Sequence, residues 1–103
     1  MRNLKTQKSD SYHEYLIESL KDPEEAAGYI EVVLEEGKNE PFLLRKVLRN
    51  VAEAYASKNH FSESAKQQHQ KLEQILLESD GVEVYTLVSF LDELGLRLAV
   101  TQK

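Results

Sequence analysis

A helix-starting signal in the first third of the chain constrains its fold more than any other feature. Asp22 is followed directly by Pro23 and, three residues after Asp22, by Glu25. An aspartate can cap the free N–H groups of a helix, proline fits the first helical turn, and an acid at the third position completes a capping box. Apolar residues then recur at helical spacing until Gly37, which predicts an amphipathic helix over residues 23–36. The chain is therefore predicted to be built from helices.

Further amphipathic segments follow, separated by glycine, proline and capping residues. Ser11 can cap a helix ahead of the first signal, and Pro41 starts a third helix whose apolar side extends to Tyr55. Three shorter helices are predicted at about residues 60–66, 68–78 and 84–94. The apolar sides of these helices predict a core made of Leu16, Leu20, Ile30, Leu34, Val47, Leu48, Val51, Phe61, Leu72, Leu76, Leu87, Leu91 and Leu94.

The two ends of the chain differ from this helical pattern. Residues 1–10 are polar, which predicts a disordered N-terminal arm ahead of one helical domain at residues 11–103. Residues 96–100 alternate apolar with other side chains, which predicts a short C-terminal strand. The predicted fold class is therefore all-α, a small helical bundle with this short strand as its one addition.

Composition excludes several classes of protein. The 103 residues suffice for one domain with a single core. With no cysteine, the chain has neither a disulfide framework nor a cysteine-ligated zinc site. The N-terminus lacks the apolar run of a signal peptide, and no stretch approaches the roughly 18 apolar residues that a membrane span needs. We therefore expect a cytoplasmic protein that does not enter a membrane.

The titratable residues do not indicate catalysis. His13, His60 and His69 lie in three different segments, without the i, i+4 spacing of a helical metal pair. The adjacent carboxylates, such as Glu35 and Glu36, are typical of caps and solvated helix faces. We therefore expect no enzymatic activity, no metal site and no cofactor. The net charge of −5 also argues against unspecific binding to phosphate backbones.

A resemblance to a known family is carried by the residues around the first helix signal. They are Tyr15-Leu16, the run from Leu20 through Ala27, Tyr29-Ile30 and Leu34-Glu35-Glu36. This sequence resembles the N-terminal region of the probable addiction-module antidote proteins, which are small helix-turn-helix proteins related to the Cro/phage-repressor group. The resemblance covers about residues 12–100. It implies a bundle that contains a Cro-like helix-turn-helix and a DNA-binding, antitoxin-like function.

The resemblance also implies a location for the helix-turn-helix. When the chain is aligned from Leu94-Gly95-Leu96 backwards, Thr86-Leu87 stands where the family has its Thr-Leu pair. Residues 61–66 then become the positioning helix and residues 68–76 the recognition helix, which the family places in the major groove of DNA. Lys66 stands in the turn between them, where the family usually has glycine.

The residues around this recognition helix suit contacts with DNA. Glutamine can pair with the N6 and N7 atoms of adenine, and lysine can hold phosphates. An alternative is that these polar side chains only form a soluble face. The predicted DNA-binding residues are Gln67, Gln68, His69, Gln70, Lys71 and Gln74. The predicted phosphate contacts are Lys58 and Lys66.

Two function classes follow from these observations. The first is a sequence-specific transcriptional regulator that resembles the antitoxin of a toxin–antitoxin module and binds an operator as a homodimer. Its dimer contact would be the strand at residues 96–100; the alternative is a monomer whose tail packs on its own last helix. The resemblance implies a small basic toxin as a protein partner. The alternative is an antitoxin-like protein–protein interaction module that has lost DNA binding through a degenerate helix-turn-helix. An acidic surface would suit a basic partner of either kind.

Overall fold

Five helices form the structure, a computed structural model that describes the backbone of residues 4–103 and the side chains of residues 11–103. The all-α fold class is confirmed, and the described part of the chain contains no strand. The helices are α1 Leu4–Leu20, α2 Pro23–Glu36, α3 Phe42–Ser57, α4 Glu63–Ser79 and α5 Val82–Glu93. α1, α2 and α3 pack on one another, α4 packs on α3, and α5 packs on α2 and α4.

Helix α2 has the bounds that the sequence predicts. The side chain of Asp22 accepts a hydrogen bond from the N–H of Glu24 at 3.0 Å, and Pro23 occupies the first helical position. The helix ends where the N–H of Gly37 donates to the carbonyl of Val33 at 2.9 Å. Glu25 lies 3.5 Å from the hydroxyl of Ser19, so it ties α2 to the end of α1.

Helix α1 begins earlier than the sequence predicts. Its bounds include residues 4–10, which the sequence assigns to a disordered arm, whereas Ser11 lies inside the helix rather than at its cap. Residues 1–3 of that arm lie outside the described residues. Toward its other end, α1 buries Ile17 and Leu20 against Ala54 of α3.

Helix α4 is one continuous helix, which corrects the predicted helix-turn-helix. The side chain of Ser62 caps it by accepting from the N–H of Ala65 at 3.0 Å, and the N–H of Lys66 donates to the Ser62 carbonyl at 2.9 Å. Residues 63–79 contain no glycine or proline and are rich in Glu, Gln, Lys and Leu, which all favour helix. A lysine resists the left-handed conformation that a turn at Lys66 would need. The turn is therefore absent, and residues 63–66 of the predicted positioning helix and the whole predicted recognition helix belong to α4, which Phe61 and Ser62 precede.

The C-terminal tail is irregular, which corrects the predicted strand. Leu98 and Val100 pack against the core cluster, and Nη1 of Arg97 lies 3.2 Å from Oε2 of Glu35 on α2. The alternation of apolar side chains thus serves to bury Leu98 and Val100 on the same chain. This tail does not offer the free strand edge on which the predicted homodimer contact depended. The homodimer itself stays a prediction.

The core has a centre between α2, α3, α4 and α5 and a second cluster between α1 and α3. The central cluster consists of Val33, Leu34, Leu44, Val47, Leu76 and Tyr85. One buried polar side chain, Asn50, donates from Nδ2 to the hydroxyl of Tyr29 at 3.0 Å and so links α3 to α2. The predicted core members Leu20, Leu34, Val47 and Leu76 are confirmed. Leu72, Leu87 and Leu94 were predicted to be buried but are exposed.

We expect opposite results from an added methyl group at two glycines of this fold. A Cβ at Gly37 would lie 2.6 Å from the Tyr85 hydroxyl and from the Val33 carbonyl oxygen. Gly37→Ala should therefore lower the free energy of unfolding by about 1–3 kcal/mol through overpacking. At Gly28, inside α2, an added Cβ meets no atom within 4 Å. Gly28→Ala should raise the free energy of unfolding by about 0.5–1 kcal/mol, because alanine favours helix.

Urea titration of the two variants beside the parent chain measures both changes. Equal destabilisation by the two substitutions would contradict the close approach of Tyr85 to Gly37.

Candidate functional site

Four of the predicted DNA-binding residues share one exposed side of α4. Gln67, Gln70, Lys71 and Gln74 are all exposed, and their i, i+3, i+4 and i+7 spacing places them on one side of the helix. We call these four residues the α4 polar stripe. The sequence therefore identifies a continuous polar surface, although it lies on a single long helix.

Two other predicted DNA-binding residues lie on the side of α4 that faces α3. The ring of His69 makes an edge contact with Phe61, at 6.3 Å between centroids, and its side chain is only 22% exposed. Its Nε2 lies 3.3 Å from Oε1 of Glu73 but makes no hydrogen bond with the described residues. Gln68 is exposed and lines the groove between α3 and α4. The prediction that His69 is exposed on the DNA-facing side is therefore corrected, because its position in the helix turns it toward α3.

The two predicted phosphate contacts, Lys58 and Lys66, lie on different parts of the structure. Nζ of Lys58 donates to the carbonyl of Lys21 at the end of α1 and lies 4.2 Å from the centroid of the Tyr55 ring. It therefore joins α1 to α3 instead of projecting beside α4. Lys66 is exposed in the first turn of α4.

The α4 polar stripe does not lie in a basic surface. Glu63 and Glu78 are four residues from Gln67 and Gln74 and so lie on the same side of the helix. Nε2 of Gln74 donates to Oε2 of Glu78 at 2.9 Å, which occupies one of the amides predicted to read bases. The two glutamates balance the two lysines, Lys66 and Lys71. This surface therefore lacks the excess of positive charge that typically accompanies DNA binding.

Helix α5 carries the second candidate surface, an exposed row of apolar side chains. Leu87, Phe90, Leu91 and Leu94 follow the i, i+3, i+4 and i+7 spacing of one helix side. The exposed fractions of Leu87, Phe90 and Leu94 are 46%, 59% and 57%. We call these four residues the α5 apolar stripe. The sequence predicts Leu87, Leu91 and Leu94 to be core residues and gives no prediction for Phe90.

The opposite side of α5 holds the helix on α2. Tyr85 is buried in the core cluster and its hydroxyl donates to the Val33 carbonyl at 2.8 Å, while Val84 packs beside it. Burial of the ring also raises the pKa of Tyr85, because the phenolate form loses its hydration. A helix that is apolar on more than one side needs more than one neighbour; this signal marks α5 in the sequence, but it does not tell which side is buried. Within the described chain, α2 and α4 pack on α5, and the α5 apolar stripe stays largely exposed.

A tight turn fixes the direction in which α5 leaves α4. Asp80 and Gly81 both take the left-handed conformation, with φ of 56° and 73°, and the N–H of Gly81 donates to the Ser79 hydroxyl at 3.2 Å. Aspartate is one of the few residues besides glycine that tolerate this region. The turn sets the start of α5, and Tyr85 sets its rotation, so the α5 apolar stripe faces away from α2.

The charges on α5 are all negative. Glu83, Asp92 and Glu93 are exposed, and the helix contains no lysine or arginine. A hydrogen bond with the Ser79 side chain, helped by a backbone hydrogen bond, lowers the pKa of Glu83. Its carboxylate therefore stays ionised at neutral pH. Within α5 itself, the α5 apolar stripe is thus accompanied by acidic side chains only, and Arg97 of the tail lies near Asp92 on the side toward α2.

Other kinds of site find no support in the described residues. No group of three or more His, Cys, Asp or Glu side chains within residues 11–103 could hold a metal ion. Among the five helices as described, none has the length and the apolar content to cross a membrane. An open, mostly apolar groove of about 350 Å³ lies between α3 and α4, lined by Tyr55, Phe61, Leu72 and their neighbours.

Comparison of this chain with protein-family models, with curated proteins and with solved structures finds no match. The likeness to the antidote proteins therefore rests on the residues quoted above, and membership of that family stays a prediction.

Proposed function

We propose that this chain is a cytoplasmic protein–protein interaction module that binds its partner through the α5 apolar stripe. The observation that carries this proposal is the exposure of Leu87, Phe90 and Leu94 on a helix whose other side is fixed in the core. Soluble domains rarely leave contiguous apolar side chains in water, and such patches commonly mark interaction sites. The function is the interaction module anticipated as the alternative from the sequence.

The energetics of binding favour a protein partner at this surface. Burying apolar area contributes roughly 25 cal/mol per Å², so three half-exposed large side chains contribute several kcal/mol of gross hydrophobic free energy, which offsets part of the cost of association. Aromatic anchors such as Phe90 commonly contribute most to interfaces. The rotation of α5 is fixed by Tyr85, so little conformational freedom of the helix is lost on binding.

The acidic character of α5 favours a partner with a basic surface. Glu83, Asp92 and Glu93 would repel an acidic protein and attract a basic one, mainly by increasing the rate of encounter. A small basic toxin, as the resemblance to antidote proteins implies, fits this description. We include such a toxin in the proposal as the first partner to test.

A photo-cross-linking amino acid placed at position 90 tests the proposal in cells that naturally make the chain. We expect one discrete adduct with another protein from position 90, because the side chain there faces the partner. The same amino acid at position 67, on the α4 polar stripe, is the matched control, since Gln67 is also exposed but has polar neighbours. Absence of any protein adduct specific to position 90 would contradict the proposed function.

DNA binding through the α4 polar stripe is the second candidate function. The specific observation in its favour is that Gln67, Gln70 and Lys71 lie exposed together on one side of a helix. A gel shift on the DNA upstream of the chain's own coding sequence, at several salt concentrations, tests it. If the stripe binds DNA, Lys71→Ala should reduce the salt dependence by about one phosphate contact. A shift that Lys71→Ala and Gln70→Ala leave unchanged would exclude this surface.

A further inference from the structure

A second apolar surface lies at the other end of the bundle, in a groove between α1 and α2. The groove measures about 390 Å³ and has Leu16, Leu20, Tyr29 and Val32 among its lining residues. Gly28 also lines it, and an added Cβ there would meet no atom within 4 Å. The backbone of α2 is therefore accessible at this point, and the groove has room for a side chain that the chain itself does not supply.

Two tyrosines extend this groove along α1. Tyr12 and Tyr15 are 67% and 74% exposed, and they share one side of α1 with Leu16 and Ser19 through the i, i+3, i+4 and i+7 spacing. They therefore lie on the side of α1 that lines the groove, and both are open to solvent. Tyrosine rings placed this way offer both apolar area and an electron-rich face.

The charge around the groove is strongly negative. From Ser11 to Gly28 the chain has five acidic residues and one lysine, a balance of 1 − 5 = −4 without His13. Glu24 and Glu25 line the groove, and the lone lysine, Lys21, already pairs with Glu18 at 3.1 Å. A cation that approached the groove would therefore meet Glu24 and Glu25, for which the described side chains of residues 11–28 supply no basic partner.

Exposed tyrosine faces on α1 and the carboxylates that line the groove together suit a cationic side chain. A guanidinium or ammonium group is attracted to the ring face and gains further from nearby carboxylates. Among the side chains of residues 11–103, a cation–ring contact of this kind joins Nζ of Lys58 to the Tyr55 ring at 4.2 Å. The groove beside the tyrosines would take the apolar residues that neighbour the cation.

We infer that the groove between α1 and α2 binds a linear segment of another protein, in which apolar residues fill the groove and an arginine or lysine stacks on Tyr12 or Tyr15. A second copy of this chain is the less suitable occupant. The other exposed apolar surface, the α5 apolar stripe, has acidic residues beside it and no lysine or arginine within α5. This surface is separate from the one on which the proposed function rests.

A labelled peptide tests the inference by fluorescence anisotropy with the full chain. The probe is a short peptide of leucines and arginines, and its matched twin has citrulline, which is uncharged, in place of each arginine. We expect the arginine peptide to bind and its twin to bind at least about tenfold more weakly. Tyr15→Ala should weaken binding of the arginine peptide about two- to fivefold, the size of an exposed cation–π contact.

Gly28→Leu fills the groove without disturbing the core, because position 28 faces open space. It should weaken binding of the arginine peptide about tenfold or more, while circular dichroism stays unchanged. Phe90→Ser, at the α5 apolar stripe, should leave the affinity unchanged and so separates this inference from the proposed function. Equal binding of the two peptides, or full binding by the Gly28→Leu variant, would overturn the inference. So would a dimer in sedimentation that Gly28→Leu abolishes, because a second copy would then occupy the groove.

Discussion

Replacing Tyr85 with alanine should lower the free energy of unfolding by about 3–5 kcal/mol, the usual range for a large buried aromatic side chain. The Tyr85 ring is 6% exposed and fills the space between α5 and α2 beside Gly37. Its loss leaves a cavity and removes the hydrogen bond to the Val33 carbonyl. Because small domains are stable by only about 5–15 kcal/mol, much of the fold's stability should disappear. Urea denaturation followed by circular dichroism measures the change.

Tyr85→Phe is the matched control, because it keeps the ring and removes only the hydroxyl. It should cost about 0.5–1.5 kcal/mol, the net value of one hydrogen bond. The Val33 carbonyl keeps a partner in either variant, since it also accepts from the N–H of Gly37 at 2.9 Å. If Tyr85→Ala costs no more than Tyr85→Phe, the ring does not hold α5 on α2.

Proline at position 68 should destabilise the chain by about 3 kcal/mol or more, because it would interrupt α4. Gln68 is the sixth residue of Glu63–Ser79, so proline there removes a helical hydrogen bond and clashes with the preceding turn. In the helix-turn-helix that the sequence predicts, residue 68 instead opens the recognition helix. Proline is well tolerated in a first helical turn. The same substitution therefore distinguishes one continuous helix from two.

Glu63→Pro is the control for this experiment, because Glu63 is the first residue of α4 and its N–H needs no partner within the helix. We expect its free energy of unfolding to stay within about 0.5 kcal/mol of the parent chain. Thermal unfolding of the two variants, compared with the parent, gives the result. If the Gln68→Pro chain is as stable as the Glu63→Pro chain, α4 is divided into two helices by a turn near Lys66, as the sequence predicts.

Local signals in the sequence predicted the first half of the fold well. Asp22, Pro23 and Gly37 define both ends of α2 through contacts within a few residues, so no knowledge of the tertiary structure was needed. The start at Pro41 likewise precedes α3 directly. Such caps are local chemistry, and the sequence contains all of it.

The second half of the fold depends on information that the local pattern lacks. Residues 63–79 favour helix throughout, and only the alignment with a family suggested a turn at Lys66. Within α5, both sides are apolar, so the pattern alone does not decide whether Tyr85 or Leu87 is buried. The contact of Tyr85 with Val33, which are 52 residues apart, decides it. For this reason, the sequence alone does not distinguish the exposed residues of the α5 apolar stripe from core residues.

The two-sided character of α5 has a thermodynamic consequence. One side of the helix is docked on α2 by Tyr85, and the other presents Leu87, Phe90 and Leu94 to solvent. A ligand that recognises only the docked helix adds RT ln(1 + [L]/Kd) to the stability of the whole domain. By the same linkage, a substitution that loosens α5 from α2 weakens the apparent affinity. The apparent Kd equals the intrinsic Kd divided by the fraction of molecules in which the helix is docked. Ligand affinity at the α5 apolar stripe and the melting temperature of the domain are therefore coupled. A substitution in the core changes the affinity, and a substitution in the stripe changes how much a ligand raises the melting temperature.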